Sequence, residues 1–310
     1  MPARPPAAGR PARVGAVRYL NSRPLIEGLD RDPHRLRLTL DHPSALADGL
    51  RRGDYDAALV PSVAALSTPG AVILPDACVA ARGPVRSVKV FFREPPGDVR
   101  TLALDAGSRT SAALCRLLLA ERFGVTPTTE PLPVAPAATP DAAAASLART
   151  AADAVLLIGD RAMHDPPGGF AAVWDLGAEW HDWTGLPFVF AVWAGRRGHC
   201  EYLADDFAAA RDAGVAAVDR LAAEHGPPLG LSAADAAGYR RRNLHFTLGP
   251  AERAGLALFA ELCGRCGLLP AGTSPRVAAP HEAPAVAPTP AAARPFPVAR
   301  GGAPAAAVLA

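Results

Sequence analysis

Short apolar runs of strand length recur along the chain, and most are followed by a polar or breaker residue and then a helical pattern. Residues 13–19 (RVGAVRY) form the first run. They meet Asn21-Ser22-Arg23-Pro24, where a polar cap and a proline in the first turn predict a helix over residues 25–29. Pro43-Ser44 opens a second predicted helix over 45–51, with Gly53 as its stop signal. Residues 57–60 read as a strand ending at Pro61-Ser62, and Val88–Phe92 and Thr101–Asp105 (TLALD) as two more. Gly107-Ser108-Arg109-Thr110-Ser111 then leads into a strong helical pattern over 112–123. Ala154–Ile158 (AVLLI) is a buried strand closed by Gly159-Asp160, and residues 188–193 form the last clear strand. Helical patterns dominate from Tyr202 onward, and no internal repeat is visible. Strands alternating with helices predict an α/β fold whose sheet is mainly parallel and covered on both faces.

Composition narrows the partners. A length of 310 residues suggests two domains. With 50% apolar and 20% charged residues, the chain can bury an ample core. No apolar run reaches the roughly 18 residues of a membrane-spanning helix. A net charge of +2 without a basic stripe argues against a nucleic-acid partner. Lys89 is the single lysine beside many arginines, which reads as coding bias before function. The opening MPARPPAAGRPAR is basic but precedes no apolar stretch, so it is not a secretory signal, and a cytoplasmic location is expected. Five cysteines, an odd number, fit a compartment where disulfides are rare. Residues 1–12 and 271–310 read as disordered ends; more than half of the latter are Ala or Pro, leaving a folded body of about 13–270.

In open α/β sheets, ligands bind beyond the carboxyl ends of strands, where the next helix begins. Four segments place small polar residues there: Tyr19-Leu20-Asn21-Ser22, Val60-Pro61-Ser62, residues 105–111, and Gly159-Asp160. A helix start carries unpaired N–H groups and a partial positive charge, which suits an anion. Around Ser108, Thr110 and Ser111, hydroxyls add to those amides, so a carboxylate fits without a lysine. Each segment taken singly also reads as an ordinary helix cap. No phosphate-binding or dinucleotide glycine motif and no G-x-S-x-G elbow is present. The eight histidines are scattered, and the one C-x-x-C (Cys263, Cys266) lies inside a helical pattern without a second ligand pair. Neither a metal nor a cofactor is therefore expected. Trp174, Trp180, Trp183 and Trp193 read mostly as core, although one indole could wall a planar ligand.

In six ordered blocks the sequence resembles the chorismate dehydratase family. They are Tyr19-Leu20-Asn21 with Arg23-Pro24-Leu25, residues 56–62 (DAALVPS), residues 83–88 (GPVRSV), residues 101–111 (TLALDAGSRTS), residues 157–160 (LIGD), and residues 175–191 (DLGAEWHDWTGLPFVFA). The resemblance covers about 13–270. Arg18, where small residues are common, and the variable His181-Asp182 depart from it. It implies a two-lobed, type II periplasmic-binding-protein-like fold with a ligand cleft between lobes joined by two crossover strands. Those crossovers are expected near 90–93 and 188–192, giving lobe one as 13–92 with 192–270 and lobe two as 93–191.

The activity implied is the first step of the futalosine route to menaquinone: loss of water from chorismate to give 3-[(1-carboxyvinyl)oxy]benzoate. Aromatisation drives that step, so it calls for no cofactor or metal, only for holding a dianion and excluding water. The resemblance implies Asn21 and Ser87 as catalytic residues. It implies Ser62, Ser108, Thr110, Ser111, Asp160 and Thr184 as substrate-binding ones. The rival readings are a solute-binding or ligand-sensing protein of the same fold, and the dihydroxynaphthoate synthase of the same pathway, whose opening Cys-Pro-Asn-Asp type motif is not found here. Oligomeric state is left open.

Overall fold

The computed structural model describes residues 10–132, 140–164 and 168–279. Among the described residues, ten strands form two five-stranded sheets. The first takes β1 (Ala12–Val17), β2 (Leu36–Asp41), β3 (Ala57–Pro61), β4 (Ala71–Ala81) and β10 (Phe188–Arg196), in the order β2-β1-β3-β10-β4. The second takes β5 (Val88–Phe92), β6 (Thr101–Asp105), β7 (Thr128–Leu132), β8 (Ala154–Ile158) and β9 (Ala172–Asp175), in the order β7-β6-β8-β5-β9. In each sheet three parallel strands are followed by an antiparallel one: β10 runs against β3 and β4, and β5 against β8 and β9. The sheets are thus mixed rather than mainly parallel. They repeat one another in topology, although the sequence shows no repeat.

Nine helices pack on them: α1 (Pro43–Arg52), α2 (Ser62–Ser67), α3 (Thr110–Phe123), α4 (Pro140–Ala148), α5 (Leu176–Thr184), α6 (Ala204–Ala216), α7 (Val218–His225), α8 (Ala233–Arg242) and α9 (Pro250–Arg265) among the described residues. Gly53 ends α1 in the left-handed conformation, as its sequence position predicts. The helix expected over 25–29 is instead a 3-10 segment, Leu20–Ile26, with Pro24 inside it. Proline there removes a backbone donor, and Ser22 Oγ binds the Val17 and Tyr19 carbonyls, so the chain turns tightly off β1.

The expected crossovers also shift. Val88–Phe92 pairs wholly within the second sheet and Phe188–Arg196 wholly within the first. The chain therefore passes between sheets through residues 82–87 and 185–187, each just before a strand begins. Both ends of the folded body extend further than expected. Arg10 makes a two-pronged contact with Asp56 at 2.7 and 2.8 Å, and β1 starts at Ala12. Residues 276–278 add a parallel bridge to β4, with Ile73 N–H bound to the Arg276 carbonyl at 2.7 Å and Ala278 N–H to the Ile73 carbonyl at 2.8 Å. The rest of the expected disordered ends, 1–9 and 280–310, lies outside the described residues.

The core runs through both sheets. Trp174, Trp180, Trp183 and Trp193 are all buried in it, and Trp193 stacks on Phe207 with ring centroids 3.9 Å apart. No helix among the described residues is long and apolar enough to cross a membrane, and no cluster of potential metal ligands occurs among them.

Candidate active site

Strand ends of both sheets converge on one cavity of about 550 Å³ of empty space, part of it open to solvent. From the first sheet come Val17, Tyr19, Asn21, Pro61, Val79, Phe190 and Ala191. From the second and its connections come Val85, Ser87, Ile158, Gly159 and the turn Gly107–Ser111. Much of the lining is apolar, with Val17, Val79, Val85, Val88, Ile158 and Phe190 contributed from both sides and joined by Pro43, Pro61 and Ala191. The rest is hydroxyl, amide and backbone. Arg109 is the one charged side chain among the described lining residues, and no carboxylate lines the space.

The turn before α3 is the most polar part. Asp105, buried at the end of β6, receives the Gly107 N–H at 3.0 Å and the Ile158 N–H at 3.4 Å, which fixes the loop against β8. Burial raises its carboxyl above the ordinary range, opposed by Arg161, whose guanidinium lies 3.3 Å away. The α3 start has no side-chain cap, and Thr110 and Ser111 at that start line the cavity. The Ser108 Oγ is buried without a hydrogen-bond partner, which leaves a polar atom for a ligand to satisfy. Asn21 also lines the cavity, half-buried at the first turn after β1, and makes no side-chain hydrogen bond within the described residues. Its neighbour Tyr19 leans over Gly159, where an added Cβ would come within 2.8 Å of the ring. With φ at +70°, this position suits glycine twice over.

Five of the eight expected site residues therefore line the cavity: Asn21, Ser87, Ser108, Thr110 and Ser111. The other three do not. Ser62 starts α2 fully buried and gives its hydroxyl to the Val189 carbonyl at 2.7 Å. Thr184, in the last turn of α5, donates to the Trp180 carbonyl at 2.8 Å and accepts from Leu186 N–H at 3.1 Å, so it ends a helix and is not among the residues lining this cavity. Asp160 lies behind the wall, where its Oδ1 accepts the Leu20 N–H at 2.9 Å. Burial pushes its carboxyl up to about 6, against the pull of that N–H and of Arg23, Arg161 and Arg240. No tryptophan reaches the cavity.

Tyr239 was not evident from sequence. It sits on α8, fully buried, and its phenol donates to Ser87 Oγ at 2.7 Å. The partners are 152 residues apart, and nothing local to α8 marks the tyrosine.

Comparison with known proteins agrees with this architecture. Residues 12–265 match the family model described as menaquinone biosynthesis. The chain is 32% identical over 274 residues to the chorismate dehydratase of Thermus thermophilus, covering 82% of this chain and 96% of that protein. Among solved structures, a protein of Archaeoglobus fulgidus superposes with a TM-score of 0.60 at 17% identity, covering 85% of this chain and 100% of the other. The periplasmic aliphatic sulphonate binding protein of Escherichia coli follows with a TM-score of 0.57 at 16% identity, covering 91% and 96%. Those likenesses establish a periplasmic-binding-protein-like fold. The match over most of its length, together with the Thermus relative, makes this chain a member of the menaquinone biosynthesis family.

Proposed function

We propose that the protein is a cytoplasmic hydro-lyase that converts chorismate to 3-[(1-carboxyvinyl)oxy]benzoate and water, the entry step of the futalosine route. The observation that carries the reading is the cavity itself: an apolar lining with a cluster of hydroxyl and amide donors, a single arginine and no carboxylate among its described residues. That lining matches a cyclic dianion and repels little of it.

In this reading a substrate carboxylate lies at the start of α3, held by backbone N–H groups, Thr110 and Ser111, where the helix dipole favours negative charge. The apolar lining packs the ring and keeps water out. The C–H bond beside the enolpyruvyl ether breaks first, and its proton passes to the substrate's own enolpyruvyl carboxylate. The electron pair spreads into the ring and its carboxylate. It then expels the neighbouring hydroxyl, which leaves with a proton as water while the ring becomes aromatic. Asn21 donates to the departing hydroxyl or the developing enolate, and Ser87 donates from the facing wall. Each acts on charge that grows in the transition state, where a positioned donor has its largest effect.

The test is direct. Purified protein is mixed with chorismate alone, and the ultraviolet spectrum is followed while mass spectrometry tracks the loss of water. Formation of an aromatic product with that mass supports the reading. Tight binding with unchanged chorismate would instead make the protein a solute binder, as other members of the fold are.

A further inference from the structure

Ser87 has three neighbours that define what its hydroxyl can do. Its backbone carbonyl accepts the Gly159 N–H at 2.8 Å, so the main chain cannot rotate away. Its Oγ accepts the Tyr239 phenol at 2.7 Å, and its side chain faces the cavity. A serine hydroxyl offers one hydrogen and two lone pairs. With the phenol's hydrogen directed at Oγ, the serine's own hydrogen is left for the cavity side. Tyr239 itself has no freedom to choose otherwise: it is fully buried, its phenol stays protonated because burial raises its pKa, and Arg240 beside it anchors α8 by reaching the Leu20 and Val218 carbonyls.

We propose that Tyr239 is a positioning residue for the elimination, acting through Ser87 by holding its hydroxyl as a donor toward the substrate. This rests on the dehydratase reading above. Tyr239 touches no substrate. Without its phenol, the Ser87 hydroxyl can swing to a backbone carbonyl and stop donating into the cavity.

The test compares wild type, Tyr239→Phe, Ser87→Ala and the double variant in chorismate turnover, with thermal unfolding as a check on folding. Phenylalanine keeps the ring and removes the phenol oxygen, so the packing of α8 is retained. The expected result is a kcat about tenfold lower in Tyr239→Phe, the equivalent of one net hydrogen bond, with KM within about twofold of wild type. In the Ser87→Ala background, the same substitution should produce no further loss, because its route of action is already gone. Full kcat in Tyr239→Phe overturns the inference, as does an equal loss in both backgrounds, which would mean that the phenol acts elsewhere. Wild type that leaves chorismate unchanged overturns the dehydratase reading, and the inference falls with it. Turnover by wild type with a fully active Tyr239→Phe removes the inference alone.

Discussion

Asp160→Asn tests the electrostatics behind the cavity wall. Asp160 is 6% exposed, and burial lifts its carboxyl to about 6 despite the Leu20 N–H and three arginines. In the unfolded chain the same group titrates near 3.9. Between those values the folded protein holds a proton that the unfolded chain has already released, so stability falls as pH rises through that window. Above it the burial of the charge costs about 3 kcal/mol. Asparagine keeps an oxygen to accept the Leu20 N–H and removes the titration. Urea unfolding of both proteins at about pH 4 and about pH 7 isolates the effect, since other groups, Asp105 included, cancel in the difference. The variant should gain about 2 kcal/mol on wild type between the two conditions, because part of the loss has already occurred at about pH 4. An unchanged difference would show that Asp160 does not titrate there, and the desolvation argument would fail.

Other substitutions separate the cavity from its surroundings. Asn21→Ala should fold normally and lose about 10²–10³ in kcat, as expected for one donor aimed at developing charge; near wild-type turnover would remove Asn21 from the site. Ser87→Ala should lose a similar factor and also some stability, because the buried Tyr239 phenol loses its acceptor; calorimetry should show a drop of about 1–3 kcal/mol. Thr184→Val should leave kcat and KM unchanged while costing about 1 kcal/mol in urea unfolding, since its hydroxyl serves only the end of α5. Gly214→Ala should destabilise by about 3 kcal/mol or more, because the added methyl lands on the backbone of Pro24, where α6 crosses the Leu20–Ile26 segment; a melting temperature equal to wild type would contradict that close approach.

Much of this architecture was legible where the physics is local. β5, β6 and β8 coincide with their apolar runs because each is a short buried strand between breakers. β4, the longest strand, was not, since Pro75 and Asp76 interrupt it and Asp76 takes a positive φ of 71°. β2 was missed because its alternating leucines sit at a sheet edge with few buried positions. The site divides the same way. Asn21, Ser108, Thr110 and Ser111 stand at helix starts that sequence can mark, whereas Ser62 carries the same local signal and spends its hydroxyl on Val189, and Thr184, offered by the family resemblance alone, spends its own on Trp180 at the end of α5. A capping pattern says where a polar side chain can sit, and only tertiary structure says which neighbour claims its hydrogen.

In the proposed function, that distinction is also what lets a cavity of so little formal charge hold an anion. Contacts between elements of the two sheets close it: Leu20 N–H to Asp160, Val63 N–H to Thr110 Oγ1 at 3.2 Å, and Arg109 to Asp48 at 2.7 Å. In the second of these the Thr110 hydroxyl is the acceptor, as Ser87 is for Tyr239. Both hydroxyls therefore have a lone pair engaged by the protein and a hydrogen left to donate, beside a helix start whose amides can only donate. Without the Val63 contact the Thr110 hydroxyl is free to turn. The contact that joins α2 to the start of α3 is thus also the one that leaves the Thr110 hydrogen free to donate, as the phenol of Tyr239 does for Ser87.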